Sequence, residues 1–253
     1  LIKSANRNKN IAIVALTENK ITKKQKIGSL FVKQNSVEAF KTASIIIDFT
    51  TPACTIEVLK IANKLKKKVI IGTTGFNTKQ EKYIKKISKK IPVLKAGNMS
   101  LGVNLLVYIT EIVSKYLDTS FLSRVLDEHH KYKKIFPSGT AIMLGEAIAK
   151  GKSKHLKKLM GKKITSKNNV FKMIRNKKSY YLPSKNKINF LSTKSGETIG
   201  NHSVIMTDKK ETINLMHEAH DRSLYSEGAI KAAMWLKTKK PGLYSMRNVL
   251  NFD

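Results

Sequence analysis

A short apolar segment runs directly into a turn of small and polar residues at Val69-Ile70-Ile71-Gly72-Thr73-Thr74-Gly75. β-Branched residues in succession favour a strand that is buried on both faces. Similar apolar segments, each followed by polar or small residues, lie at Asn10–Leu16, Ser44–Phe49 and Pro92–Leu94. Helical patterns separate them at about 52–66 and 78–89. This alternation predicts a parallel sheet that is covered by helices on both faces.

In a sheet of this kind, ligands bind beyond the carboxyl ends of the strands. The segments that leave the predicted strands are expected to share one edge, and they are Thr17–Glu18, Thr50–Pro52, Gly72–Gly75 and Gly97–Ser100. We expect a dinucleotide to lie along that edge, in a Rossmann-like parallel-sheet domain.

The pattern changes near Ser100, which is predicted to cap a long helix that continues to Leu117, and another helix begins near Thr140. Segments with a period of two residues follow at about Ile188–Ser192, Thr198–Met206 and Thr212–His217. They indicate a mostly antiparallel sheet, and hence a second domain of α+β character. Residues 150–187 lack clear periodicity and are expected to be exposed.

We therefore predict an α/β protein with two domains. A dinucleotide-binding domain is assigned to residues 1–99 and 219–253. A substrate-binding and oligomerisation domain is assigned to residues 100–218, because its sheet offers an edge that can pair between subunits.

Composition excludes several classes of protein. With 41% hydrophobic and 26% charged residues, the chain resembles an ordinary globular protein, and no apolar run approaches the roughly 20 residues that span a bilayer. The single Cys54 rules out an intramolecular disulfide and fits a reducing cytoplasm. The histidines and carboxylates show no zinc-binding spacing, so we predict no metal site.

The net charge of +32 makes nucleic-acid binding an alternative function. The lysines, however, are spread over the polar sides of predicted helices, as in Lys64–Lys68 and Lys85–Lys90, and no nucleic-acid motif with interleaved aromatic residues accompanies them. We therefore expect neither nucleic acid nor a membrane to be the main partner.

Two adjacent imidazoles and a cluster of ammonium groups precede a predicted helix start between residues 127 and 141. Histidine titrates near neutrality, so His129 and His130 can both give and take a proton. The amides of Ser138-Gly139-Thr140, at a helix N-terminus, would form an anion site. Together they predict a small substrate that carries carboxylates. The alternative is that the histidines only end a strand and the hydroxyl groups only cap the helix.

These motifs resemble those of the dihydrodipicolinate reductase (4-hydroxy-tetrahydrodipicolinate reductase) family. The matching stretches are Asp48–Thr50, Ile71–Phe76, Ala96–Asn104, His129–Ala141, Ser195–His202, His220–Arg222 and Pro241–Leu250. The resemblance implies that NADH or NADPH reduces a cyclic imine with two carboxylates, giving tetrahydrodipicolinate in lysine and diaminopimelate biosynthesis. It also implies a homotetramer.

The resemblance further implies roles for individual residues. His129 matches the proton donor or acceptor, and the Lys133 ammonium matches a second catalytic group that donates a proton or stabilises negative charge. His130 matches a substrate contact. The substrate carboxylate would bind at Ser138, Gly139 and Thr140, where the glycine lets a ligand approach backbone N–H groups.

The cofactor contacts that the resemblance implies lie mainly in two loops, at Gly72, Thr73, Thr74, Ala96, Gly97, Asn98 and Met99. Small residues allow a close approach of the backbone, and Met99 can pack on a flat ring. Arg222 is a further candidate. Glu18 can bind an NAD ribose, whereas Lys20 would attract a 2′-phosphate, so the preference for NADH or NADPH stays open.

Two departures from the family pattern bear on function. The family opens with a strand and a Gly-rich phosphate loop, whereas Leu1–Ala5 resembles the middle of the helix that follows them, so the strand and loop are expected to be absent. A remnant of the fold that no longer binds cofactor is therefore an alternative to a working reductase. Ile135 also replaces an acidic residue of the family, which is expected to alter how its loop is anchored.

Overall fold

A computed structural model of the chain describes residues 1–21, 23–166 and 186–252. The chain divides into two compact units, one formed by Leu1–Leu101 with Ser223–Asp253 and the other by Gly102–Arg222. Among the described residues, none of the helices combines the length and the apolar character that a membrane span requires.

The helices and strands of the first unit are, in chain order, α1 (Ile2–Asn6), β1 (Leu16–Glu18), β2 (Lys26–Ile27), β3 (Leu30–Gln34), α2 (Val37–Phe40), β4 (Ile45–Asp48), α3 (Pro52–Lys64), β5 (Lys68–Ile71), α4 (Thr78–Ser88), β6 (Pro92–Lys95), and later α8 (Ser223–Leu236), β12 (Gly242–Tyr244) and α9 (Met246–Val249). Those of the second unit are α5 (Leu101–Tyr116, which starts at the last residue of the first unit), β7 (Leu122–His129), α6 (Gly139–Gly151), α7 (Leu156–Leu159), β8 (Met160–Ser166), β9 (Ile188–Lys194), β10 (Asn201–Thr207) and β11 (Thr212–Glu218).

A four-stranded sheet with the order β12-β6-β5-β4 forms the centre of the first unit, and every pairing in it is parallel. Val69 and Ile71 of β5 pack with α3 and α4 on one face, whereas Ile70 packs with α8 on the other. All three side chains are fully buried. The prediction of a Rossmann-like parallel sheet that is covered on both faces is confirmed.

Capping side chains fix where the two helices on that face begin. The Thr51 hydroxyl accepts from the Cys54 N–H at the start of α3, where Pro52 occupies the first turn. A capping box between Asn77 and Gln80 opens α4. These caps satisfy amides at the two helix starts, so β4 and β5 each lead into a defined loop and helix.

The predicted buried strand Asn10–Leu16 was wrong. The strand in this region is β1, which pairs in parallel with β3 in a separate three-stranded sheet, and the side chain of Val14 is 46% exposed. β4 lies at the edge of the four-stranded sheet and pairs with β5 alone among the described residues. The apolar run takes no part in that sheet.

The second unit is built on a five-stranded sheet with the order β11-β10-β7-β9-β8. β10 pairs antiparallel with β7 and β11, whereas β9 pairs in parallel with β7 and β8. The prediction of a mostly antiparallel sheet was therefore wrong. The helices α6 and α7 carry the chain from β7 to β8, and such a crossover permits parallel pairing. The segment 150–187 was expected to be exposed, but its described part contains α7 and β8, and Leu159 is buried there; residues 167–185 lie outside the described residues.

One face of this second sheet carries the core of the unit. Val125 of β7, Phe190 of β9 and Val204 of β10 pack against Leu144 and Ile148 of α6. Because α6 is held on this face, its N-terminus is fixed beside the carboxyl end of β7, where the paired histidines lie.

Candidate active site

β7, the central strand of the second sheet, ends at His129, the proposed catalytic histidine. Asp127 and His129 point to the same face of β7, because successive strand residues alternate between faces. Both side chains are buried, and His202 of β10 lies directly opposite Asp127 in the ladder. A carboxylate and two imidazoles are thus gathered at one end of a rigid strand pair.

The Ser-Gly-Thr turn is anchored to that strand end. The backbone N–H of Ser138 donates to Asp127 Oδ2 at 2.6 Å, while the Ser138 hydroxyl caps α6 by accepting from the Ala141 N–H at 3.1 Å. A Cβ added at Gly139 would meet nothing within 4 Å, so the turn is open on that side. Ile135 is 77% exposed, and the anchoring carboxylate is that of Asp127.

Hydrogen bonding fixes which nitrogen of His129 can exchange a proton. His129 Nδ1 lies 3.3 Å from the Ile199 carbonyl, which can only accept, so Nδ1 carries a hydrogen and donates it. His129 Nε2 is buried and has no hydrogen-bond partner among the residues that the structure describes. Nε2 is therefore the atom that can hold or release a proton toward a ligand.

Burial is the main reason that the pKa of His129 lies below its ordinary value, because an imidazolium loses hydration there. The Asp127 carboxylate opposes this and raises the pKa, whereas the Lys133 ammonium and His130 lower it. Lys133 therefore lies within electrostatic reach of His129. The structure brings these groups together at the end of β7, as their order along the sequence suggested.

The segment after β7 turns back toward the strand. The Lys133 N–H donates to the His130 carbonyl at 3.1 Å, and the Lys131 N–H donates to the Gly196 carbonyl at 3.1 Å. His130 Nδ1 is buried without a hydrogen-bond partner in the described part of the chain. The candidate residues His129, His130, Lys133, Ser138, Gly139 and Thr140 consequently occupy one region of the second unit.

Two cofactor-binding loops were expected in the first unit, and they follow adjacent parallel strands. Gly72, Thr73 and Thr74 follow β5, and Ala96, Gly97, Asn98 and Met99 follow β6. Thr74 and Gly97 are exposed at these strand ends. A Cβ added at Gly72 would lie 2.2 Å from the Phe49 ring, so a side chain there would require that exposed ring to move. The two loops share one edge of the sheet, where backbone groups can be reached.

A buried carboxylate that had no assigned role holds these strand ends in place. Asp48, at the end of β4, is 4% exposed and accepts from the hydroxyls of Thr50 at 2.6 Å, Thr73 at 3.3 Å and Thr55. The Thr50 N–H donates to the Thr73 hydroxyl at 2.9 Å. The sequence signal was present, because an acidic residue ends an apolar run in the Asp-Phe-Thr motif.

Three expected cofactor contacts have different surroundings from those predicted. The Met99 side chain is 2% exposed and lies in the core with α8, so packing on a cofactor ring is not available to it. Glu18 ends β1 in the separate three-stranded sheet, where its carbonyl accepts from the Asn35 N–H, so the four predicted loops do not share one sheet edge. Arg222 is exposed and is the last residue of the second unit.

Comparison with known proteins agrees with this arrangement. Residues 1–99 match the family model of dihydrodipicolinate reductase, N-terminus, and residues 102–250 match that of dihydrodipicolinate reductase, C-terminus. The 4-hydroxy-tetrahydrodipicolinate reductase of Pelagibacter ubique (strain HTCC1062) is 58% identical over 252 residues, which cover 100% of this chain and 93% of that protein. That of Buchnera aphidicola subsp. Cinara cedri (strain Cc) is 36% identical over 264 residues, covering 99% and 91%.

The fold also has a counterpart among solved structures. A dipicolinate-bound dihydrodipicolinate reductase from Paenisporosarcina sp. TG-14 superposes with a TM-score of 0.74 at 18% identity, covering 98% of this chain and 92% of that one. At this identity the likeness shows a shared fold. Both family models and the close relatives show more, and the chain therefore belongs to the dihydrodipicolinate reductase family of NAD(P)H-dependent oxidoreductases.

Proposed function

We propose that the chain converts 4-hydroxy-tetrahydrodipicolinate to tetrahydrodipicolinate in diaminopimelate and lysine biosynthesis, with a hydride from NADH or NADPH, a proton, and loss of the 4-hydroxyl group as water. The relatives carry this activity in their names. The observation that carries the proposal is His129 Nε2, a buried proton site that has no hydrogen-bond partner in the described part of the chain and lies on the strand that also anchors the Ser-Gly-Thr turn. A proton donor beside an anion-binding turn is suited to the reduction of a cyclic imine that carries two carboxylates.

The substrate carboxylates are assigned to the turn at Ser138, Gly139 and Thr140, with His130 as a further contact. The backbone amides of this turn lie at the start of α6, and the Asp127 carboxylate holds that of Ser138 in position. The open side of Gly139 supports close approach of an anion. The Lys133 ammonium balances the negative charge that the substrate brings.

The proton is assigned to His129 Nε2. Burial and nearby cations keep the pKa of His129 below its ordinary value. A bound dicarboxylate places negative charge nearby, which favours the imidazolium and raises the pKa. His129 thus gains its proton when substrate arrives, and it can deliver that proton while Lys133 stabilises the developing charge.

The pyridine nucleotide is assigned to the first unit, at Gly72–Thr74 and Ala96–Met99, where Met99 contributes only its backbone because its side chain is buried. Exposed backbone at Thr74 and Gly97 fits such a cofactor, and the hydroxyl network around Asp48 keeps the loop at Thr73 fixed. When bound, the reduced nicotinamide supplies a hydride. Glu18 and Arg222 remain proposed contacts, and comparison of KM for NADH and NADPH decides the preference.

We also propose a cytoplasmic homotetramer. The reduced, buried thiol of Cys54 supports a reducing compartment. Among the described strands, β11 lies at one edge of the second sheet, and an edge offers unpaired backbone groups to another subunit. Sedimentation of the purified protein tests the assembly, since a tetramer has four times the mass of a 28.5 kDa chain.

The activity is tested by following nicotinamide absorbance with the purified full-length protein. We expect oxidation of NADH or NADPH only when the cyclic substrate is supplied, with one tetrahydrodipicolinate formed per nucleotide oxidised. Lys133→Ala should lower kcat roughly 100-fold or more, because a group that neutralises developing charge is lost. Lys134→Ala, which removes an exposed neighbouring ammonium, is the matched control. Absence of substrate-dependent oxidation in the wild type would refute the proposal.

A further inference from the structure

A third imidazole lies within the site and has no role in the mechanism above. His202 of β10 is 2% exposed, and its ring centroid is 5.2 Å from that of His129, with 73° between the ring planes. His202 Nε2 lies 3.2 Å from the Ser138 hydroxyl. One side chain therefore contacts both the proposed proton donor and the proposed carboxylate-binding turn.

We infer that His202 is a positioning residue that aligns the His129 ring with the Ser-Gly-Thr turn, through ring packing on one side and a hydrogen bond on the other. This inference deepens the proposed function and rests on it for its kinetic part. A proton donor must be aligned with its substrate to within a fraction of an ångström, and the two groups lie on different elements. His202 is the side chain that spans them.

The surroundings of His202 favour the uncharged form of its ring. Burial, and then the positive charges of His129, His217 and Lys133, lower the pKa of His202 to about 3. The ring is therefore neutral at physiological pH and adds no charge beside the proton donor. It retains one donor and one acceptor nitrogen, so it can hold the Ser138 hydroxyl in either tautomer.

An unpaired atom argues against packing as the main role of His202. His202 Nδ1 is buried and lacks a hydrogen-bond partner among the described residues. Such an atom destabilises the fold, and an apolar side chain of similar size would avoid that penalty. The imidazole is explained by what its other nitrogen does at Ser138.

The backbone at Gly200 limits the space available to the His129 and His202 rings. A Cβ added at Gly200 would lie 3.1 Å from His129 Cε1 and 3.4 Å from His202 Cε1. The backbone at Gly200, just before β10, therefore lies close to both rings. Titratable groups facing His129 are Asp127 on its own strand, His130 and Lys133 in the following turn, and His202.

Two substitutions separate the two contacts. His202→Phe keeps a ring against His129 and removes the bond to Ser138, so the substrate KM should rise roughly three- to tenfold while kcat changes less than about twofold. His202→Gln keeps a polar group within reach of Ser138 and removes the ring, so kcat should fall about tenfold or more. His155→Gln, the same chemical change at an exposed histidine before α7, is the control and should leave both constants unchanged.

A readout that does not depend on turnover completes the test. In ¹⁵N imidazole spectra, the pKa of His129 should be higher in His202→Gln than in the wild type, because water reaches the ring where the packing is lost. His202→Phe should keep it low. If the wild type fails to turn over substrate, the proposed function fails, and this titration still decides whether His202 positions His129.

Two results would overturn the inference. One is that both variants keep wild-type kcat, KM and His129 titration. The other is that both lose kcat equally, with unchanged KM and His129 titration, and in proportion to the fraction that unfolds in a thermal melt. That pattern would mean that His202 only fills space.

Discussion

Substitution of Asp48 tests the proposed cofactor-binding loops most directly, because its carboxylate accepts hydrogen bonds from Thr50, Thr55 and Thr73. In Asp48→Asn, the amide nitrogen or oxygen replaces Oδ2, which accepts from Thr55 and Thr73. A hydrogen bond to a charged group contributes about 1.5–3 kcal/mol and a neutral one about 0.5–1.5 kcal/mol. Weakening two bonds by about 1 kcal/mol each predicts a loss of about 2 kcal/mol in the free energy of unfolding.

The loop that follows β5 should also lose its fixed position, because Thr73 links Asp48 to the Thr50 N–H. We expect the KM for the nucleotide to rise up to roughly tenfold, while the KM for the substrate stays within about twofold. Urea unfolding measures the first effect, and steady-state kinetics with each ligand varied in turn measures the second.

Glu57→Gln makes the same chemical change at an exposed position of α3, the helix that also carries Thr55. It should leave both quantities unchanged. If Asp48→Asn unfolds at the wild-type urea concentration and binds nucleotide normally, the argument that this carboxylate organises the loops is refuted.

Three further predictions concern the second unit. Because the pKa of His202 is lowered from 6.5 to about 3, its contribution to the free energy of unfolding is complete above pH 6.5 and is lost as the pH falls, by up to about 1.4 kcal/mol per pH unit. Urea unfolding midpoints at several pH values should show this loss, and His202→Phe should weaken the pH dependence. Ser138→Ala should cost about 1 kcal/mol of stability and raise the substrate KM, whereas Ser36→Ala, which removes the equivalent cap of α2, should cost stability alone. Gly200→Ala should lower kcat several-fold by displacing the His129 ring, and an unchanged kcat would contradict that contact.

The sequence was sufficient where a local pattern determines the structure. The run Val69–Ile71 is apolar throughout because both faces of β5 are covered, so its burial could be predicted without knowledge of its neighbours. The segment Asn10–Leu16 has a similar pattern but lies partly exposed, since burial of a strand depends on a partner that the pattern does not specify. The parallel pairing of β7 with β9 depended in the same way on a crossover.

The same distinction, between local pattern and distant contact, applies to the site residues. His129 and the turn at Ser138 lie in one continuous motif, so their chemistry could be inferred from adjacency. His202 meets Ser138 across 64 positions of sequence, and Thr73 meets Asp48 across 25. Their roles emerge only when β10 pairs with β7 and β5 pairs with β4.

The most direct test of the account is the turnover of His129→Gln, measured as substrate-dependent oxidation of the nicotinamide at saturating substrate and cofactor. The account predicts that kcat falls about 100- to 10,000-fold, because glutamine cannot release a proton at the position of Nε2. His155→Gln, the same change at an exposed histidine before α7, should keep the wild-type rate. A His129→Gln protein that turns over at the rate of His155→Gln would contradict the assignment of the proton donor.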